Sequence, residues 1–296
     1  MSAARFTDGL AAWQPWYYLG AMAHIIEDRA IIALSGPDAR SFLQGLITND
    51  IDRLTPQNPL YAALLTPQGK ILFDFLVVDD GAGTILLDCL AASRDALIKR
   101  LSMYRLRSNV DIAPRDDLAV FASWDGSALP GVSFEDPRLP ALGRRAIAPA
   151  TQTHTEVDLG DYRAFRMDLG VPEGIDFGSD KIFALDAGLD ELRAIAFDKG
   201  CYVGQELTAR MKHRSTARKR LLVFEIVGGK IPCAGTSLTA GEREIGTITT
   251  AYGDNRGFAL VRLDRLAEAG DSPLEANGDR VSIVKPDWLS GLDLNG

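Results

Sequence analysis

The segment FDKGCYVGQELTAR, residues 197–210, holds a cysteine in a setting that could make its thiol reactive. Lys199 lies two residues before Cys201, and the following GQELTARMKHR has a helix-forming composition. A nearby cation and the positive end of a helix both favour the thiolate, the form that acts as nucleophile or metal ligand. Gly200 and Gly204 allow a tight turn that leaves the sulfur accessible. The alternative is a cysteine that only packs beside a turn, and these features alone leave both interpretations open.

A basic stretch follows directly in ARMKHRSTARKR, residues 209–220, which contains no acid although the chain is acidic. Its cations are Arg210, Lys212, Arg214, Arg218, Lys219 and Arg220. One interpretation is a solvated helix end and linker. The other is an anion site for a carboxylate-bearing ligand or an acidic partner protein.

Two aspartates lie where an acid is unexpected. Asp74 stands inside the apolar run ILFDFLVV, where a buried carboxylate without a partner would cost several kcal/mol. It is therefore either a hydrogen-bonded structural or edge residue, or a group that pairs with two N–H donors of an aminopyrimidine-like heterocycle. Asp168, near a predicted helix end in FRMDLGVPEG, opposes the helix dipole unless something offsets its charge.

Length and composition limit the protein class. The chain has 296 residues, 46% apolar and 24% charged, which suffices for one large or two moderate domains. A formal net charge of −8 disfavours general binding to nucleic acid or anionic membranes. We find neither an apolar run of the roughly 18–20 residues that cross a bilayer nor a signal-peptide pattern. We therefore expect a cytoplasmic protein.

The three cysteines, Cys89, Cys201 and Cys233, are odd in number and widely spaced, which favours reduced thiols. No CxxC spacing is present, and the three histidines are scattered without a zinc-type pattern. One chain therefore cannot supply four thiolates to an iron–sulfur cluster. We expect no stably bound metal in the isolated protein.

The elements that must position these residues are predicted from local patterns. The runs RAIIAL, LYAALLT, ILFDFLVV, TILLDCL, NVDI and LAVFAS have strand character, and PQGK joins the second and third as a hairpin. Helices are predicted in SGPDARSFLQGLIT with Ser35 as N-cap, in SRDALIKRLSMYRL with Ser93 as N-cap, and in DYRAFRMDLG, closed at Gly170. Residues 125–155 show little periodicity. Downstream of about residue 215, short strands between glycine-rich turns predict an antiparallel barrel or sandwich.

The motif KGCYVGQE resembles the signature of the YgfZ family of folate-binding proteins, relatives of the glycine-cleavage T-protein. Supporting matches are LSGPDARSFLQGLITNDI, TPQGKILFDF, YRLRSNVDI, FRMDLGVPEG and ELTARMKHRSTARKRLLVF. The resemblance implies an α+β fold, a T-protein-like ring of α+β subdomains around a central opening with a C-terminal antiparallel β-barrel. It divides the chain into a folate-binding region, residues 1–215, and a barrel domain, residues 216–296.

The same resemblance implies roles for individual residues. Cys201 matches the signature cysteine and Lys199 its frame, which makes Cys201 a functional thiol and a possible shared iron–sulfur ligand. Asp74 and Asp168 fall at pterin-contacting acids of the T-protein. The remaining candidates for binding a tetrahydrofolate cofactor are Gln205, Glu206 and Arg214. The basic stretch would bind either the folate glutamate tail or an A-type iron–sulfur carrier protein.

Three functional hypotheses follow. The first is a bacterial cytoplasmic accessory protein that binds tetrahydrofolate and uses Cys201 in assembly or repair of iron–sulfur clusters, with a transient A-type carrier as partner and no nucleic acid or membrane. It describes a maturation factor rather than an ordinary enzyme. The second is a folate-dependent aminomethyltransferase of the T-protein type, in which Cys201 has no obvious use. The third is a folate-binding scaffold in which Cys201 only packs.

Overall fold

The computed structural model describes residues 24–126, 128–151, 159–213, 218–226, 228–253, 255–292 and 294. The described strands before the basic stretch are β1 His24–Ile25, β2 Arg29–Ser35, β3 Leu60–Leu65, β4 Ile71–Asp79, β5 Ile85–Leu90, β6 Asp111–Pro114, β7 Leu118–Ser123, β8 Val132–Glu135 and β9 Arg144–Pro149. The described α-helices of this region are α1 Ala39–Gln44, α2 Arg94–Arg105, α3 Leu159–Asp168, α4 Gly174–Phe177 and α5 Gln205–His213. Short 3-10 helices cover Ile51–Arg53, Ala91–Ser93 and Pro140–Leu142.

The first sheet is antiparallel and has the strand order β3-β4-β5-β2-β6. β3 and β4 form the hairpin predicted from the PQGK turn. β3 is buried along its whole length because it lies between two cores. Tyr61 packs in one core, and its neighbours Leu60 and Ala62 pack in the other. Since side chains alternate across a strand, the uninterrupted apolar sequence of β3 satisfies both cores.

The second sheet has the order β1-β7-β9-β8 and includes residues in which the sequence showed no periodicity. β8 and β9 lie within residues 125–155. β9 begins with Arg144 and Arg145, and Arg145 is buried rather than solvated. A buried arginine breaks the alternation of apolar and polar residues by which strands are detected. The carboxylates that balance the charge of Arg145 include Asp88, 57 residues earlier in the chain, and a local pattern cannot reveal such a partner.

Two predicted helices are found with small differences at their starts. α2 buries Leu97 and Leu101, and Ser93 occupies the predicted N-cap position, although the Ser93 side chain makes no capping hydrogen bond. α1 begins at Ala39 with Asp38, not Ser35, at the N-cap position. The third helix, α3, ends just before Gly170, whose φ of 64° permits the predicted turn.

The C-terminal part is a closed antiparallel barrel, as predicted. Its strands are β10 Lys219–Ile226, β11 Ser237–Ala240, β12 Arg243–Tyr252, β13 Arg256–Arg262, β14 Leu274–Ala276 and β15 Asp279–Val284, with α6 Leu263–Ala269 between β13 and β14 and a 3-10 helix at Asp287–Leu289. The order is β10-β13-β12-β11-β14-β15, and pairing of β10 with β15 closes the barrel. The Trp288 indole N–H donates to the Leu169 carbonyl at 2.9 Å, which attaches the barrel to α3. No helix in the described part of the chain is long and apolar enough to cross a membrane.

Candidate functional site

A cluster of charged side chains lies buried where the two sheets, α3 and α4 meet. We call it the buried ion cluster. It joins four arginines to four carboxylates, namely Arg29, Arg138, Arg145, Arg166, Asp88, Asp136, Glu173 and Asp176. Equal numbers of opposite charges in close contact offset part of the desolvation cost of each ion.

Asp88 and Asp136 connect the two sheets within this cluster. Asp88 on β5 accepts from Arg29 at 2.6 Å and from Arg145 at 2.8 Å. Asp136, which follows β8, accepts from Arg138 at 2.7 Å and from Arg145 at 2.9 Å. Arg145 therefore binds carboxylates of both sheets and holds them together.

Glu173 stands at the centre of the buried ion cluster. It accepts from Arg138 at 2.6 Å and from the Tyr162 hydroxyl at 2.9 Å, and Arg166 lies 3.8 Å away. Burial alone would raise the pKa of Glu173, but the surrounding arginines, Arg166 first among them, hold it well below its usual value. Glu173 also caps α4 together with Asp176.

Asp74 is a fifth buried acid beside this cluster, and only 4% of it is exposed. The Tyr61 hydroxyl donates to its Oδ2 at 3.0 Å. Burial raises the pKa of Asp74, and the positive charge of Arg29 opposes that rise without cancelling it. A cavity of about 30 Å³ lies between Asp74 and Gly174. It has room for about one or two waters, so a pterin cannot enter there without rearrangement.

A second, much larger cavity is lined in part by Tyr61. This central cavity has a volume of about 980 Å³, and Asn49, Arg53, Tyr61, Asp136 and Arg193 are among the residues that line it. Its volume is that of pockets that hold drug-sized ligands, roughly 300–1,000 Å³. Tyr61 lines this cavity and also hydrogen-bonds Asp74, so Asp74 is one side chain removed from it.

Cys201 is exposed and lies in a loop ahead of α5. The segment after Cys201 forms the expected helix, but α5 begins only at Gln205, four residues later, so Cys201 stands ahead of the helix and not in its first turn. Of the other cysteines, Cys233 is also exposed, whereas burial raises the pKa of Cys89 to about 12 and leaves that thiol inert. Cys201 is thus one of two thiols available at the surface.

Lys199 anchors the Cys201 loop to the wall of the central cavity. Its ammonium group is buried and donates to the carbonyls of Ile47 and Asn49 at 2.9 and 2.7 Å. Burial lowers the pKa of Lys199 to about 8. Asp198, in the same loop, pairs with Arg53 at 2.5 Å. Since Asn49 and Arg53 both line the central cavity, the loop that presents Cys201 is fixed to it at two points.

The other predicted site residues are not gathered at the cavity. Asp168 is exposed and pairs with Arg256 of the barrel. Gln205 and Glu206 open α5, where Glu206 pairs with Arg210 of the same helix at 2.5 Å. Arg214 lies outside the described residues. In the described part of the chain, no group of three or more His, Cys, Asp or Glu side chains could hold a metal ion.

The two glycines that flank Cys201 should respond differently to substitution. Gly204 has φ +84°, and a Cβ there would lie 2.5 Å from the Thr66 carbonyl oxygen, whereas a Cβ at Gly200 meets nothing within 4 Å. We expect Gly204→Ala to lower the free energy of unfolding by about 1–3 kcal/mol. Gly200→Ala is the matched control and should change it by less than about 0.5 kcal/mol. Denaturant unfolding of both variants measures this, and equal effects would contradict the assigned tight turn.

Neither the buried ion cluster nor Tyr61 was predicted from the sequence. A signal was available, because Asp88 interrupts the apolar run ILLDCL as Asp74 interrupts ILFDFLVV. Two buried acids on neighbouring strands indicate buried cations elsewhere. The identity of those cations could not be read, since Arg145 and Asp88 are 57 residues apart.

Comparison with known proteins decides the family. The chain is 31% identical to "Iron-sulfur cluster assembly factor IBA57, mitochondrial" of Mus musculus over 89% of this chain and 84% of the relative. The Homo sapiens protein of the same name is 30% identical, with the same coverages. The chain belongs to the IBA57 family of iron–sulfur cluster assembly factors. A Neurospora crassa homologue is 33% identical over 71% of this chain, and the match spans only 56% of that relative.

Two further comparisons agree with the fold of this IBA57-family chain. Residues 218–291 match the family described as CAF17, C-terminal beta-barrel domain. The glycine cleavage system aminomethyltransferase T from Bartonella henselae superposes with a TM-score of 0.71, covering 90% of this chain and 85% of that structure at 16% identity. The predicted T-protein-like fold with a C-terminal barrel is therefore confirmed.

The comparisons also correct one expectation and make another less specific. The relatives are named mitochondrial proteins, so the expected bacterial cytoplasmic location was wrong. They bear the IBA57 name and not the YgfZ name of the sequence resemblance. What these matches support is the assembly of iron–sulfur clusters.

Proposed function

We propose that this IBA57-family chain assembles or repairs iron–sulfur clusters, with a reduced folate in the central cavity and Cys201 as a transient cluster ligand or redox-active thiol. The observation that supports this proposal is the attachment of the loop that carries the exposed Cys201 to cavity-lining residues through Lys199 and Asp198. This arrangement ties the loop that carries a free thiol to residues that line a cavity large enough for a cofactor.

The cluster is the cargo, and one thiolate is too few to hold it. Clusters are bound by four thiolates or by sets in which histidines replace some of them. The described residues provide no group of three possible ligands around Cys201. The missing ligands would therefore come from a partner, and an A-type carrier protein is the partner that we propose. The chain is thus a maturation factor that shares a cluster and does not store it.

The central cavity suits a reduced folate better than the small space beside Asp74. Its lining offers the exposed guanidinium groups of Arg53 and Arg193 for a carboxylate tail. The side chains of Tyr61, Asn49 and Asp136 also line it, but they are buried and already hydrogen-bonded within the protein. The backbone of Arg193 has φ 61°, in the left-handed region that is unfavourable for a residue other than glycine. Its side chain is exposed at the cavity. A reduced folate supplies one-carbon or electron-transfer chemistry when bound, and these residues would bind and orient it.

Titration with tetrahydrofolate tests folate binding in the cavity and distinguishes the predicted role of Asp74 from that of Asp168. We expect saturable binding by the wild type and a loss of about tenfold or more in Asp74→Ala, which leaves Tyr61 without its acceptor beside the cavity. Asp168→Ala should bind as the wild type does, because Asp168 pairs with Arg256 and does not line the cavity. Isothermal calorimetry measures both constants, and absence of saturable wild-type binding would refute the folate part of the proposal.

A folate-dependent aminomethyl transferase is the second candidate, favoured by the superposition on an aminomethyltransferase over 90% of this chain. In that reaction Cys201 would be dispensable. Formation of 5,10-methylenetetrahydrofolate from an aminomethyl donor, with the same rate in Cys201→Ser, would support this candidate over the first.

A further inference from the structure

An exposed apolar pair lies at the C-terminal end of α2, in the YRLR motif and just before it. Met103 is 62% exposed and Leu106 is 88% exposed, the highest values among the large hydrophobic side chains of the described residues. The proposed function uses neither residue. An isolated exposed apolar residue is common on protein surfaces, whereas a group of them beside charged residues marks interaction sites.

The backbone at Leu106 is strained in the free protein. Its φ of 43° and ψ of −104° follow the last residue of α2, at a position where glycine is the usual choice. A leucine there carries the steric penalty of its Cβ and gains no burial in return. Strain of this kind persists at binding sites, where the protruding side chain contributes binding free energy once a partner buries it.

Cations surround this pair without forming ion pairs in the part of the chain that is described. They are Lys99, Arg100, Arg105 and Arg107, and all but the half-buried Arg100 are exposed. The local charge is thus opposite in sign to the net charge of −8 of the whole chain. We call Met103, Leu106 and these four cations the α2 patch. Such a patch is complementary to an acidic surface.

A shallow, open groove of about 750 Å³, lined in part by Leu106 itself, distinguishes between two kinds of acidic surface. Tyr104 and Arg107 line it together with Asp38, whose carboxylate accepts from the Asn109 N–H at 2.7 Å. A concave surface with a carboxylate on its wall receives a protruding side chain. A flat anionic bilayer would leave the groove unfilled and Asp38 beside lipid phosphates.

We propose that the α2 patch docks an acidic partner protein that inserts an apolar side chain into this groove, with its carboxylates against Arg105 and Arg107. The inference extends the proposed function, because the A-type carrier is the partner used to test it. Docking at the α2 patch is separate from cluster ligation by Cys201, and the two can be removed independently.

The test is the affinity of the purified carrier for variants of the full chain at low and high salt. We expect Leu106→Gly to weaken binding about tenfold or more, since a large apolar contact is lost. Its midpoint of thermal unfolding should not fall, because glycine relieves the backbone strain. Arg107→Glu should also weaken binding, whereas Lys230→Glu, an exposed charge reversal in the barrel, should not. Cys201→Ser should still dock.

Three other outcomes would each contradict docking of the carrier at the α2 patch. Wild-type affinity in both patch variants would remove the docking role and leave the proposed function standing. No carrier binding by the wild type would refute both the docking site and the proposed partner. Binding to anionic phospholipid vesicles that Leu106→Gly abolishes, with carrier affinity unchanged, would make the α2 patch a membrane surface instead.

Discussion

Cys201→Ser is expected to abolish maturation of iron–sulfur enzymes in a complementation assay while leaving the protein folded. The thiol is exposed, and its side chain makes no hydrogen bond within the described residues. The free energy of unfolding should therefore stay within about 0.5 kcal/mol of the wild type, as for other surface substitutions. A serine hydroxyl is a far poorer ligand for iron than a thiolate, so the loss is chemical.

Cys233→Ser is the matched control, because Cys233 is also an exposed free thiol but belongs to the barrel. It should complement fully. If both serine variants complement, Cys201 has no role as a ligand. That result would support the folate-binding scaffold or the aminomethyltransferase instead. Equal loss in both would indicate a general effect of thiol removal and would also contradict the assignment.

Glu173→Gln is expected to lower the free energy of unfolding by about 3–5 kcal/mol, the usual cost of removing one partner from a buried ion pair. The carboxylate contacts Arg138 and lies near Arg145 and Arg166 at the junction of four elements. A neutral amide would leave these buried guanidinium groups with too little negative charge beside them. Urea unfolding measured by circular dichroism gives the change.

Glu206→Gln provides the comparison, since Glu206 also pairs with an arginine but at the surface of α5. The Glu206→Gln substitution should lower the free energy of unfolding by about 0.3–0.5 kcal/mol or less.

The low pKa of Glu173 adds a pH signature. The stabilisation that its carboxylate contributes is full above the unfolded-state pKa and is lost as the pH falls below about 4.5. The stability difference between wild type and Glu173→Gln should therefore shrink on acidification, and a constant difference would contradict the central role of Glu173.

Much of the scaffold around the site follows from local sequence patterns. The β3–β4 hairpin that carries Asp74 was predictable because two apolar runs flank a turn of proline and glycine. α2 and the barrel strands were predictable for similar reasons, since their periodicity and turns are encoded within a few residues of each other.

The chemistry within the scaffold was only partly predictable. Asp74 was recognised as an acid that needed a partner, but that partner is Tyr61 on the opposite strand. Lys199 was expected to activate the thiol of Cys201, yet its ammonium group binds carbonyls of residues about 150 positions earlier in the chain. Contacts of such separation depend on how the sheets pack, and no spacing rule within a short motif reports them.

The fate of a cluster offered to the protein tests the role of Cys201 as a cluster ligand most directly. Carrier loaded with its cluster is mixed anaerobically with wild-type or Cys201→Ser protein, and the complex is isolated for iron and sulfide analysis and visible circular dichroism. We expect a wild-type complex that contains the cluster with a spectrum different from that of the carrier alone, and a Cys201→Ser complex that fails to retain it. The same iron content and spectrum in both complexes would contradict that role.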